Sequence, residues 1–304
     1  MSALHALPSS LQPQNAGYQQ LTTYFDERYG IAWGYMHSEP RPCFTPRLLG
    51  ELTAWCHELM KQIDDPRQAD VQYQVTASSC PGVFNLGGDL SLFHELIQRK
   101  DREGLQRYAR ACIEPLYLNI SHLDRAGLKS ICLVQGDALG GGFECALSAN
   151  VLIAEKGTKM GFPEILFNLF PGMGALSLLG RRVGMVKAEQ MILSGNLYRA
   201  DELFDLGVVD VLAEPGEGPQ AVYDYVRRDS RVRNGALALR AARELIQPIT
   251  YEELLKITDI WVDAAMRIEQ KDLRMMERLI ARQGGKQATG PVLASVAAGT
   301  RLAG

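Results

Sequence analysis

Ile131-Cys132-Leu133-Val134-Gln135-Gly136-Asp137-Ala138-Leu139-Gly140-Gly141-Gly142-Phe143-Glu144 is the stretch on which the fold turns. It begins as a short apolar run, the pattern of a buried strand. It passes through three glycines and enters Phe143-Glu144-Cys145-Ala146-Leu147-Ser148-Ala149, a helix-forming segment. A strand that feeds a helix through consecutive glycines leaves bare backbone N–H groups at a helix N-terminus, which attract negative charge. Glu144 stands in the first turn beside them. The stretch reads as the electrophilic half of an active site.

The flanks repeat the alternation. Downstream, Val151 to Ala154 reads as a strand, and Gly161-Phe162-Pro163-Glu164-Ile165 as a turn bearing a second carboxylate. Asn168 to Gly174 is a breaker-rich loop. Helical patterns follow over Ala175–Val183, Lys187–Leu193 and Ala200–Leu206, then a strand over Val208–Leu212. Upstream, Val71 to Thr76 alternates as a strand. Ser78 to Leu90 reads as a long loop with paired glycines, followed by helices over Ser91–Lys100 and Leu105–His122. Leu21–Phe25 and Ile31–Met36 flank a glycine-containing turn and predict a β-hairpin. Thr45-Pro46 supplies an N-cap and a proline at the first helical position, for a helix to about Ile63. Strands alternating with helices argue for an α/β fold with substantial parallel pairing.

Beyond Pro215 the strand signal disappears. Helices are expected over Pro219–Arg228, Gly235–Ile246 and Tyr251–Ala281. The last carries Leu254, Ile257, Ile260 and Trp261 at helical spacing, a stripe that suits either core or an oligomer interface, with core the default. Three regions result: a flexible arm over 1–20, a core domain over 21–214, and a helical region over 215–304 for oligomerisation and pocket cover. The tail from Gln283 is expected to be mobile or an extended arm.

The chain has 304 residues, 46% hydrophobic and 22% charged, an ordinary globular composition. A net charge of −3 gives no global basicity for nucleic acid. No apolar run reaches membrane-spanning length. Met1 to Gln14 lacks the basic and apolar regions of a secretory signal. The six cysteines (Cys43, Cys56, Cys80, Cys112, Cys132, Cys145) are scattered, without CxxC, which argues against a disulfide scaffold or zinc site and for a cytoplasmic protein.

Three pieces in order carry a resemblance: Gly87-Gly88-Asp89-Leu90, Gln135 to Glu144, and Phe162-Pro163-Glu164-Ile165. From Leu21 onward the chain resembles the crotonase (enoyl-CoA hydratase/isomerase) superfamily. The resemblance implies a spiral of ββα units with a C-terminal helical region, assembled as a homotrimer or a dimer of trimers. It implies acyl-thioester substrates carried on coenzyme A or on acyl carrier protein phosphopantetheine, and no other cofactor or metal. It implies that the amides of Gly88 and Gly141 hold the thioester oxygen. A narrower likeness lies in Phe167-Asn168-Leu169-Phe170-Pro171-Gly172-Met173-Gly174-Ala175, the N-terminal hairpin and Phe84 to Asp89. These are similar to bacterial diffusible signal factor synthases, which dehydrate a 3-hydroxyacyl-acyl carrier protein to a cis-2-enoyl thioester and hydrolyse it. That subfamily includes members that bind a sensor protein. The alternative is an ordinary enoyl-CoA hydratase or isomerase.

The residues suit this chemistry. Removing a proton beside a thioester carbonyl drives charge onto its oxygen, where preorganised donors matter most. Eliminating a β-hydroxyl needs a base and an acid, and two neighbouring carboxyls divide these roles. Glu144 and Glu164 are the candidates, with acid and base unassigned. The same pair suits positioning a water against the thioester. Leu139, Phe143, Met173, Leu176 and Trp261 are candidates for an acyl tunnel, with core packing as likely for each. Asp89 reads as a helix cap. His94 and His122 read as structural or exposed. Arg227, Arg228, Arg231 and Arg233 read as a solvated face, with acyl carrier protein docking the functional alternative.

Overall fold

Two sheets, wound together by short connections, place the glycine-rich turns at a common seam. The computed structural model describes residues 13–14, 17–68 and 70–285. Most of the expected arm over 1–20, and the tail beyond 285, lie outside the described residues.

The larger sheet has seven strands: β1 (Pro13–Gln14), β2 (Leu21–Asp26), β3 (Ile31–Met36), β4 (Tyr73–Ser78), β6 (Lys129–Val134), β8 (Val151–Glu155) and β11 (Val211–Ala213), in that spatial order. The first three pair antiparallel, and β3-β4-β6-β8-β11 run parallel. A smaller sheet holds β5 (Val83–Asn85), β7 (Asp137–Leu139), β9 (Lys159–Gly161) and β10 (Leu197–Arg199), in the order β10-β9-β7-β5. The strand pairs β4/β5, β6/β7 and β8/β9 each give one strand to each sheet before the chain turns helical. This is the spiral of ββα units that the resemblance implied.

The hairpin, the helix capped by Thr45 and the strand ahead of the glycines form where expected. The hydroxyl of Thr45 accepts from Leu48 N–H, starting α1 (Pro46–Asp64). Asp89 accepts from Ser91 and Leu92 N–H and caps α2 (Leu90–Gln98); α3 (Arg102–Ile120) follows. The glycine stretch opens α4 (Gly141–Ser148). Then come α5 (Ala175–Val183), α6 (Met185–Ser194) and α7 (Ala200–Asp205).

Several expectations are corrected. The loop over Ser78–Leu90 contains β5, and Leu197–Arg199 forms β10. The strand expected over Val208–Leu212 begins only at Val211; Val208 and Val209 are core residues in a turn. The two helices after Pro219 are one element, α8 (Gly218–Ile246), broken only at Val232, whose φ of −124° leaves the helical region. Conversely, Tyr251–Ala281 divides into α9 (Tyr251–Ala265) and α10 (Gln270–Gly285). The reason is packing. Arg102–Asp263 (2.7 Å) and Arg110–Asp259 (3.1 Å) tie α9 to α3, while α10 turns to lie against α2. The expected stripe splits with it: Leu254 and Trp261 are buried, and Ile260 is exposed.

The first half of α8 covers one face of the large sheet. Val222, Tyr223 and Val226 pack on Trp33, Tyr73, Ile131 and Ile153. Inside that interface the Lys129 ammonium is paired with Asp229, which also accepts from the Tyr73 hydroxyl at 2.9 Å. Removing one member of a buried pair strands the other charge, at about 3–5 kcal/mol. Asp229→Ala is therefore expected to lower unfolding free energy by about that much in a urea titration; a loss under about 0.5 kcal/mol, typical of a surface change, would show that the pair does not anchor α8.

Candidate active site

The turn after β5 is almost fully hydrogen-bonded. Leu86 N–H donates to Pro42 C=O at 2.8 Å, Gly87 N–H to Asn85 Oδ1 at 2.8 Å, and Asp89 N–H to the Tyr108 hydroxyl at 3.0 Å. Phe44 N–H donates to Gly87 C=O at 2.8 Å. Gly88 N–H alone in this run has no acceptor among the described residues. Gly87 has φ +89°, and a Cβ on it would lie 2.8 Å from Gly141 N, so only glycine fits. The second turn mirrors the first. Gly140 N–H donates to Gly161 C=O at 2.9 Å, and the next amide, Gly141, opens α4 without an acceptor among the described residues. A Cβ on Gly141 would lie 3.5 Å from Gly88 N. Two free N–H donors thus sit side by side, from turns packed backbone to backbone.

Glu144 and Glu164 face this seam. Glu144 is buried, and its Oε1 accepts from Met173 N–H and Ala175 N–H, each at 2.8 Å. Burial raises its pKa to about 7, against the two amides, which favour the ionised form. Glu164 enters from a 3₁₀ turn over Pro163–Phe167. A Cβ on Gly140 would lie 2.3 Å from Glu164 Oε1, so the carboxyl lies against the glycine turn. Its Oε2 is buried and has no hydrogen-bond partner. Burial, then the neighbouring Glu144 charge, raise its pKa to about 8. Both carboxyls are thus held above the ordinary carboxylate range, Glu144 with two amides donating to its Oε1 and Glu164 with an Oε2 that has no donor.

Both glutamates, both free glycine amides and a mostly apolar wall enclose one cavity of about 280 Å³. Of the tunnel candidates, Leu139, Met173 and Trp261 line it. Phe143 and Leu176 do not. Phe143 is one residue from Glu144, and neighbours on a helix point about 100° apart. It is fully buried away from the cavity, stacked on Phe162 with centroids 4.9 Å apart. Leu176 packs into the main core. Further residues of the wall, not assigned to it from sequence, include Leu90 and Phe93 of α2, Ala109 and Cys112 of α3, Phe167, and Leu279 of α10. The spacings 90/93 and 109/112 are helical i,i+3 pairs, a signal available in the sequence.

The remaining candidates lie away from this cavity. His94 meets Glu277 at 3.0 Å, joining α2 to α10, and His122 meets Glu244 at 2.7 Å. Within the arginine cluster, Arg227 pairs with Asp224, and Arg233 lies over the Tyr73 ring at 5.0 Å. Burial raises the Cys80 thiol pKa. Among the described residues no group of three metal-ligating side chains converges, and no helix is long and apolar enough to cross a membrane.

Residues 52–217 match the family model for enoyl-CoA hydratase/isomerase. An enoyl-CoA isomerase/hydratase of Mycosarcoma maydis is 28% identical over 239 residues, 78% of this chain and 84% of that protein. A glyoxysomal fatty acid beta-oxidation multifunctional protein of Brassica napus is 29% identical over 143 residues, 47% of this chain but only 19% of that longer protein. The solved structure of Pseudomonas aeruginosa DspI superposes with a TM-score of 0.62 at 26% identity, covering 79% of this chain and 84% of that one.

A carboxyl whose pKa is raised from the usual 4.5 to about 8 binds its proton more tightly folded than unfolded. Stability is therefore lost as pH climbs through that window, and is not lost below it. Glu164→Gln removes the titrating group. It is expected to raise the thermal midpoint at pH 9 by roughly 2–4 °C for each kcal/mol recovered, with the gain vanishing near pH 4; equal midpoints at both pH values would contradict the buried, unpartnered carboxyl.

Proposed function

The chain belongs to the enoyl-CoA hydratase/isomerase family, and on that premise we propose that it adds water to, or removes it from, the Cα–Cβ bond of an acyl thioester. One observation carries this reading: two buried glutamates with raised pKa values share a cavity with two unpartnered glycine amides. A double-bond shift needs a single base that returns the proton it takes. Addition of water needs two groups at once, one to deprotonate the water and one to protonate carbon.

In the hydration direction the thioester oxygen accepts from Gly88 and Gly141 N–H, which stabilise the enolate-like charge that develops there. Glu144, held ionised by Met173 and Ala175 amides, takes a proton from water as its oxygen bonds to Cβ. Glu164 delivers its proton to Cα. The pair ends with the proton transferred to Glu144, and dehydration runs from that tautomer in reverse: Glu164 removes the Cα proton, and Glu144 protonates the departing hydroxyl.

A second reading is the signal synthase, in which a 3-hydroxyacyl group on acyl carrier protein or coenzyme A is dehydrated to the cis-2-enoyl thioester and then hydrolysed. The apolar lining of the cavity supports it. Trp261 is seated on Gly172, where a Cβ would lie 2.4 Å from its ring, and Phe167 and Leu169 pack with it. The Phe167–Ala175 loop and the C-terminal helices thus contribute an apolar wall suited to a fatty tail. The enzyme would then work in the cytoplasm as a trimer or dimer of trimers, with a sensor protein as partner.

Incubation with 3-hydroxydodecanoyl-CoA separates the readings. Reversible formation of the 2-enoyl thioester without release of free thiol supports the hydratase; free thiol with an unsaturated acid supports the synthase; neither product would overturn both. Glu144→Ala and Glu164→Ala are each expected to lower kcat/KM by about 10²–10⁴-fold with the far-ultraviolet circular dichroism unchanged. Because the active pair carries one proton, kcat/KM for hydration should fall below about pH 7, as Glu144 is protonated, and above about pH 8, as Glu164 ionises. An acid limb near pH 4.5 would mean that neither carboxyl is desolvated in the working enzyme.

A further inference from the structure

Behind the Gly88 turn lies a buried hydroxyl that bridges the two segments holding it. Tyr108 is on α3, outside the cavity wall. Its hydroxyl accepts from Asp89 N–H at 3.0 Å and donates to Phe44 C=O. Phe44 N–H in turn donates to Gly87 C=O at 2.8 Å, and Phe44 forms an isolated parallel bridge with Gly88. The amide after Gly88 and the strand beside it are therefore joined through one oxygen. The ring is fixed as well: Phe93 meets it edge-on, with centroids 5.2 Å apart. Arg41 pairs with Asp89 at 3.1 Å from the other side.

We propose that Tyr108 is a positioning residue for the Gly88 amide, setting through the Asp89 and Phe44 backbones the direction in which that N–H meets the thioester oxygen. Without the hydroxyl, the part-buried Asp89 N–H and the buried Phe44 C=O both lose their side-chain partner. They are already neighbours in the bridge and will close on each other, because an unsatisfied buried polar group is costly. That closure rotates the peptide preceding Asp89, and the Gly88 peptide is next in line. A donor turned off the oxygen loses most in the transition state, where the charge is greatest, so kcat falls while KM holds. This inference rests on the reading of Gly88 N–H as a donor to the substrate carbonyl.

The test uses the full chain and a chromophoric thioester, 4-dimethylaminocinnamoyl-CoA, whose absorption moves to longer wavelength as its carbonyl is polarised. Wild-type protein is expected to shift the band on binding. Tyr108→Phe, which deletes one oxygen, is expected to halve that shift or more and to lower kcat about tenfold, a fraction of the 10²–10³ lost with an entire donor, with KM within about twofold. Tyr223→Phe is the control for lost stability alone. It removes a buried hydroxyl bonded to Asp26 at 2.9 Å, under α8 and away from the cavity, and should leave band and kcat unchanged. An unmoved band in Tyr108→Phe, or the same loss in Tyr223→Phe, overturns the assignment of Tyr108. No shift in wild type overturns instead the donor role of the glycine amides. If Tyr108→Phe does not fold, 3-fluorotyrosine placed at 108 keeps the shape and alters only hydrogen-bond strength; a displaced band supports the positioning role, and a coincident one refutes it.

Discussion

Two carboxyl groups buried in one apolar cavity cannot both be charged at low cost, and the rest of the site follows from that constraint. Desolvation lifts both pKa values out of the ordinary carboxylate range, and the charge of Glu144 lifts Glu164 further. What separates the two is the backbone. Met173 and Ala175 turn their amides onto Glu144, at the start of α5. Glu164 Oε2 is left with no such donor. On the proposed reading, this difference in backbone donors is what would divide base from acid between identical side chains, a division the residue types alone left open.

The positions of these groups come from the architecture. Each ββα unit ends a three-residue strand of the small sheet at the cavity, so β5, β7 and β9 deliver Gly88, Gly141 and Glu164 to one seam. The parallel strands of the large sheet carry the load behind them. The helices α9 and α10, anchored to α3 and α2, bring Trp261 and Leu279 over the far wall. The turn can consist of glycine because other groups hold it: Pro42, Asn85 and Tyr108 accept from the N–H groups of Leu86, Gly87 and Asp89, and Phe44 N–H donates to Gly87 C=O. Rigidity is supplied by the neighbours, and access to the backbone by the missing side chains.

Much of this was legible before any coordinates. The apolar run into three glycines and a helix set the strand-turn-helix, and Thr45-Pro46 and Asp89 marked two helix starts correctly. The glycine and glutamate motifs pointed to Gly88, Gly141, Glu144 and Glu164, which line one cavity. The second sheet was not legible from periodicity, because strands of three residues are too short to show a period of two. Phe143, open in sequence between tunnel and core, takes the core face because a helix neighbour of Glu144 points about 100° away from it. The break between α9 and α10 carries no glycine or proline. It answers to which partner helix each half packs on, and it moved Leu279 into the wall. Tyr108 had no local signal at all, since its partners lie 19 and 64 residues away.

At neutral pH the glutamate pair is expected to hold a single proton, which infrared difference spectroscopy reads directly. At pH 7.5 the protein should show the C=O stretch of a protonated carboxyl, displaced in deuterium oxide, that is absent from Glu164→Gln. No such band at that pH, or one that survives in Glu164→Gln and disappears in Glu144→Gln, would contradict the account.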